Sequence, residues 1–259
     1  MVAMDDPRIQ AAKQLAGGLL GLEIAKTALG YAAPLFWCLN HSVSGLEDEI
    51  SNGTTFFLDC GRGPFGVTAG HVYDGFAKAA GSGIRCQLGR SHQLFDLRER
   101  LISRGIHVDI ATYHITVEEI GLTGATVMTG CQAQWPPSPP AVDQWVVYAG
   151  YPGVNRKLIR PRHIEFGTCC ATGAASSVSD RDISCVLERE YIVPTMGMSL
   201  PPLGYDLAGM SGGPMIAILQ SGVVSWHLAG VVYECGRELL EVVKAARVDS
   251  IGADGVVLA

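Results

Sequence analysis

The pattern of apolar and polar positions changes once along the chain. Between residues 7 and 30, Ile9, Ala12, Ala16, Leu19, Leu20 and Leu22 recur at helical spacing, with Pro7 where a helix would begin. This predicts an N-terminal helix over about 7–30, weakened by Gly17, Gly18 and Gly21. From about residue 32, short runs rich in Val, Ile, Phe and Thr alternate with Gly, Asp and Asn. Strands are expected at 35–40, 54–59, 65–68, 84–88, 101–103, 110–115 and 125–129. Four prolines in the five residues Pro136 to Pro140 then exclude a helix or sheet interior and read as a stiff connector. Beyond it the strand texture resumes at 144–149, 164–169, 183–187, 215–219, 223–226, 228–233 and 239–245, with a short helix near 248–251. The pattern predicts an all-β protein in two similar halves. Its units are an N-terminal extension (1–44), a first β unit (45–131), a linker (132–141) and a second β unit (142–259).

Composition narrows the function classes. Of 259 residues, 48% are hydrophobic and 17% charged, as in an ordinary globular protein. A net charge of −6 argues against nucleic acid as a partner. No segment approaches the roughly 20 apolar residues of a membrane span. The run Leu15 to Leu22 resembles a signal-peptide core, but Asp5, Asp6, Glu23 and Lys26 surround it. The cytoplasm is the expected location, with secretion or the periplasm as the alternative. The eight cysteines include no C-x-x-C pair, so no metal site and no cofactor are expected.

The candidate chemistry centres on Gly209-Met210-Ser211-Gly212-Gly213-Pro214. A serine in a glycine-rich turn can stand beside several backbone N–H groups aimed at one point, as acyl transfer requires. It needs a base and a group to orient that base. Of seven histidines, His71 stands out, because it ends Val67-Thr68-Ala69-Gly70-His71, where small residues leave room for a neighbour. Asp109 opens the apolar run Asp109-Ile110-Ala111. A carboxylate there needs a hydrogen-bond donor, which an imidazole N–H or a turn would supply. Order along the chain separates the scaffolds. Only His227 follows Ser211, with Asp249 and Asp254 after it, which is not the order of an α/β-hydrolase. His71, Asp109 and Ser211 run His, Asp, Ser.

Those three motifs together resemble the trypsin/chymotrypsin-like serine peptidases, most closely their bacterial, Deg-type branch, over about residues 45–255. The resemblance implies two six-stranded antiparallel β-barrels with the site between them. It implies Ser211 as nucleophile, His71 as general base and then acid, and Asp109 as the group that orients the imidazole. The backbone N–H groups of Gly209 and Ser211 would form the oxyanion hole. Two departures stand out. Met210 replaces the aspartate that receives a new N-terminus in secreted zymogens, and Val72 replaces the cysteine usually next to the histidine. Both fit an enzyme controlled by a regulatory protein partner. Pocket walls are expected from Tyr205, Asp206, Tyr233 and Glu234, whose acids either favour a basic substrate side chain or face solvent. The function implied is that of a serine endopeptidase acting on protein or peptide substrates. A silent trypsin-like fold used for binding, or an esterase with the same triad, is the alternative.

Overall fold

The computed structural model describes residues 13–14, 16–40, 49–81, 83–129, 135–160, 163–187, 202, 204–221, 223–236 and 241–258. The expected helix start at Pro7, the cysteine at 131 and the first residues of the linker lie outside them. Helix α1 (Leu19–Tyr31) begins after Gly18 and runs directly into strand β1 (Ala32–Asn40). Its inward side carries Ala28, fully buried, with Ile24, Leu29 and Tyr31 packed on the same core.

The first sheet contains β1, β2 (Glu49–Leu58), β3 (Phe65–Ala69), β4 (Cys86–Leu88), β5 (Leu101–Arg104), β6 (Ile110–His114) and β7 (Val127–Met128). Its order is β4-β1-β2-β3-β6-β5, with β7 added parallel to β2. Residues 32–40, placed with the extension on sequence grounds, pair with both β2 and β4 and so belong to this sheet. Helix α2 (Gly70–Ala80) follows β3 without a loop, and α3 (Val117–Thr123) lies between β6 and β7.

The second sheet contains β8 (Trp145–Gly150), β11 (Cys169–Ala174), β12 (Ser177–Val178), β13 (Asp182–Leu187), β14 (Pro214–Ser221), β15 (Val223–Gly236) and β16 (Glu241–Arg247). Its order is β11-β8-β14-β15-β16-β13-β12. Strands β9 (Arg156–Arg160) and β10 (His163–Phe166) form a separate two-stranded hairpin between β8 and β11. The chain is therefore mostly β, as expected, in sheets that are antiparallel except where β7 joins β2. Among the described residues each sheet has seven strands, where the resemblance implied six. The runs at 223–226 and 228–233 are one long strand, because the polar break at His227 does not interrupt pairing with β14.

One apolar cluster lies inside the first sheet, around Leu35, Phe57, Phe76 and Tyr113. Another lies inside the second, around Tyr148, Ile183, Met215 and Val232. A third takes Phe56, Leu58 and Val67 from the first sheet and Val147, Ile216 and Val231 from the second. This shared cluster packs the two halves against each other, since burying each such side chain is worth about 1.5–3 kcal/mol. Among the described residues, no helix is long and apolar enough to cross a membrane.

Candidate active site

His71 sits in the first turn of α2, not at a strand end as its sequence context suggested. The first N–H groups of a helix have no partner inside it. Asp109, just before β6, supplies one. Its Oδ1 accepts from the His71 backbone N–H at 2.8 Å, and its carbonyl accepts from the Gly70 N–H at 3.0 Å. The same carboxylate reaches the imidazole, with Oδ2 2.5 Å from Nδ1. Asp109 thus caps the helix and orients the ring on it in one contact. Register brings it there, because Ala69 at the end of β3 pairs with Ile110 at the start of β6.

Asp109 is half-buried, and burial pushes its carboxyl up. Hydrogen bonds and charge from His71, with the Arg104 charge, outweigh that, and the net shift is below the ordinary carboxylate value. Arg104 lies 3.5 Å from Asp109 Oδ1 and 2.9 Å from Asp74 Oδ2, so it ties α2 to the strand behind it.

Ser211 lies in the turn that enters β14. The turn is anchored on both sides. Gly212 N–H donates to the Val232 carbonyl at 2.6 Å, and Val232 N–H donates to the Gly213 carbonyl at 2.9 Å. Across the interface, Thr54 N–H donates to the Ser211 carbonyl at 2.8 Å, and Thr54 Oγ1 donates to the Gly209 carbonyl at 2.7 Å. Gly212 has φ +93°, and a Cβ there would overlap the Thr54 carbonyl and the Thr68 hydroxyl and stand 3.0 Å from the Ala69 N. The turn is pressed onto the strand end that leads into His71. A Cβ on Gly53 would lie 2.6 Å from a Val72 methyl and 3.2 Å from the Ser211 carbonyl, so the chain at 72 and at 211 flanks one point.

The Ser211 hydroxyl donates to the Tyr233 carbonyl at 3.3 Å. Tyr233 is the extra residue of a β-bulge, between the pairs Val232–Ala245 and Glu234–Lys244. Bulges re-aim the residue they displace, and here one turns a carbonyl toward the serine. Gly209 has φ +101°. Among the described residues, the N–H groups of Gly209 and Ser211 have no acceptor, whereas their neighbour Met210 donates to Leu207 at 2.9 Å.

The four expected pocket residues have different surroundings. Asp206 accepts from the Ala208 N–H at 2.8 Å, which makes it part of the turn. Glu234 is paired with Lys244 at 2.9 Å across β15 and β16. Tyr205 and Tyr233 are partly buried. Burial raises both phenols, and at Tyr233 the acids Asp182 and Glu234 raise it further. Sequence reading missed Thr54 and Thr68, the buried hydroxyls that join the two sides of the site. Thr68 Oγ1 donates to the Thr54 carbonyl at 2.7 Å. A threonine in a strand is ordinary, and nothing in the sequence marked either one.

Among the described residues, Cys86, Cys169, Cys170 and Cys185 are free thiols. No group of three or more His, Cys, Asp or Glu suited to a metal ion occurs among the described residues.

No family model and no curated protein sequence matches the chain. Among solved structures it is similar to a thermostable serine protease, AL20, from an extremophilic microorganism. The two are 13% identical over 86% of this chain and 92% of that one, with a TM-score of 0.46. At that distance the chemistry has to be read from this chain's own side chains.

Proposed function

We propose that the protein is a serine hydrolase that cleaves peptide bonds through an acyl-enzyme. Ser211 is the nucleophile, His71 takes its proton and later returns it to the leaving amine, and Asp109 holds the imidazole. The observation that carries the reading is the grip of Asp109 on both the ring and the backbone of His71, in the first turn of the helix that follows Ala69, against which the Ser211 turn is pressed. That grip fixes the tautomer with Nδ1 protonated and leaves Nε2 free to accept a proton. The unpaired N–H groups of Gly209 and Ser211 fit donors for the developing oxyanion. Glu234 is paired with Lys244, so the pocket offers it as no free anchor for a basic side chain.

A second reading, a silent fold used for binding, is favoured by the hydroxyl of Ser211 donating to Tyr233 rather than to an imidazole. A fluorophosphonate probe separates the two. The hydrolase reading expects covalent labelling that Ser211→Ala abolishes and that His71→Ala cuts by several orders of magnitude. Folded wild-type protein that resists the probe overturns it in favour of binding.

A further inference from the structure

The side of Asp109 that faces away from the imidazole is held by Arg104, the last residue of β5. Its guanidinium lies 3.5 Å from Asp109 Oδ1, the oxygen that also accepts from the His71 backbone N–H at 2.8 Å. Its Nη2 and Nε donate to the two carboxylate oxygens of Asp74 on α2, at 2.9 Å and 3.4 Å. Its Nη1 donates to the Val108 carbonyl at 3.3 Å and to the Gly105 carbonyl. One planar group therefore touches α2, the loop that leads into Asp109, and Asp109 itself. Among the described residues, Arg104 is the one arginine or lysine that pairs with Asp109.

Gly70 makes room for this arrangement. A Cβ there would lie 2.2 Å from the Arg104 Cζ, 2.4 Å from Nη1 and 2.5 Å from Nε. Gly70 opens α2, and its φ is not positive, so backbone freedom does not account for the glycine. Inside a helix glycine is less stable than alanine. What it supplies is a seat for the guanidinium, one residue before His71. The pair with Asp74 adds little to stability, because that acid is 55% exposed to water. The contact with Asp109 differs, because it acts on a half-buried carboxylate that grips the imidazole.

We propose that Arg104 is a positioning residue for the proposed hydrolase reaction, acting through Asp109. A carboxylate can present either oxygen to a donor by rotating about its Cβ–Cγ bond. With Oδ1 held by the His71 N–H and faced by the guanidinium, Oδ2 is left to the imidazole, 2.5 Å from Nδ1. Charge acts in the same direction. Burial pushes the Asp109 carboxyl up, and the bonds and charge of His71, then the charge of Arg104, bring it below its ordinary value. Asp109 thus stays an acceptor, Nδ1 keeps its proton, and Nε2 is left to take the proton of the serine. The Tyr233 phenol of β15 also senses Asp109, and burial raises it, so it stays neutral. The effect on rate rests on the hydrolase reading, whereas the hold on the ring does not.

The test compares variants of the full chain. Arg104→Met keeps the apolar stem and removes the guanidinium. Gly70→Ala keeps the arginine but fills its seat, and the crowded atoms are the end of a flexible side chain, so the arginine moves and the fold stays. Each should lower kcat on a peptide substrate about tenfold to a hundredfold with KM little changed. Arg104→Lys should recover part of the loss, since an ammonium restores the charge but not the planar fork. Gly70→Ala/Arg104→Met should be no slower than either alone, and Arg104→Met should slow Asp109→Asn no further. A wild-type kcat in folded Gly70→Ala or Arg104→Met, or an equal loss in the Asp109→Asn background, overturns the assignment. The proton resonance of the His71 Nδ1–H, identified by its absence from His71→Gln, reads the hold on the ring without turnover. It should exchange slowly with water in the native protein and broaden or move upfield in both single variants. A resonance unchanged in both overturns the assignment. A Ser211 that no probe labels sinks the hydrolase reading, and the resonance then decides the role of Arg104 by itself.

Discussion

Gly212 is the residue on which the two halves of the site depend most directly. It needs a left-handed φ and has no room for a methyl group against the Thr54 carbonyl. Gly212→Ala should cost about 3 kcal/mol or more, since it combines backbone strain with a clash against backbone rather than a flexible side chain. Urea unfolding measures the loss, and probe labelling of Ser211 should fall with it. Asp109 makes a second prediction. Asp109→Asn keeps the size of the side chain but offers a donor where His71 Nδ1–H needs an acceptor. Turnover should drop by about 10⁴ with substrate affinity little changed. Kinetics on a peptide substrate check both parameters. At this scale the sequence put the serine, histidine and aspartate in short motifs, and the pairing of Asp109 with His71 is the part of that constellation the structure displays. The roles of Asp206 and Glu234 were not legible, since a sequence does not say that one acid closes a turn and the other faces Lys244.

Elements were legible where their period was long enough to register. Helix α2 was not expected, although its buried residues Val72, Phe76 and Ala80 recur every four positions. Gly70 and Gly75 hid that period, and the apolar run before it read as strand to its end. Helix α3 was also missed, though Thr116 and Glu119 form a capping box. Thr116 Oγ1 accepts from the Glu119 N–H at 3.2 Å, and Glu119 Oε2 accepts from the Thr116 N–H at 3.0 Å. Thr116→Ala should cost about 1 kcal/mol, read by thermal denaturation. Helix α1 is built into the body of the protein. Ala28 is fully buried in the cluster shared by the sheets, Tyr31 packs on Trp226, and the Gly30 carbonyl accepts from the Thr126 N–H at 2.8 Å. Ala28→Asp, an unpaired carboxylate in that core, should cost about 3 kcal/mol or more. Truncation before residue 32 should destabilise both sheets together, giving one shifted thermal transition rather than two.

Over the whole molecule, turn spacing conveyed an all-β chain in two halves, but not the strand count. Val127–Met128 and Ser177–Val178 are two residues long and carry no period. Nor did spacing reveal the shared cluster, because partners such as Val67 and Val231 belong to different halves of the sequence. Charge acts at this scale as well. Hydrogen bonds from Arg98 hold the buried Asp96 below its ordinary value, those from Arg100 do so for Glu119, and Asp109 is lowered too. Each group has a folded-state pKa below its unfolded one. Its stabilisation is therefore complete above about pH 5 and disappears as pH falls from about 4 through the folded value. Unfolding free energy should be flat from about pH 5 to neutrality and fall steeply below about pH 4. Asp96→Ala should lower the plateau and make the acid limb shallower.

The free thiols give each half its own record of transient opening. Cys86 lies wholly inside the first sheet and Cys185 wholly inside the second, and burial pushes their thiols up to about 12 and about 11. Neither can meet an alkylating reagent without local unfolding around it. Under native conditions, the rate at which each becomes alkylated therefore clocks the breathing of its own sheet. Agreement between the two clocks would mean that the halves come apart only together.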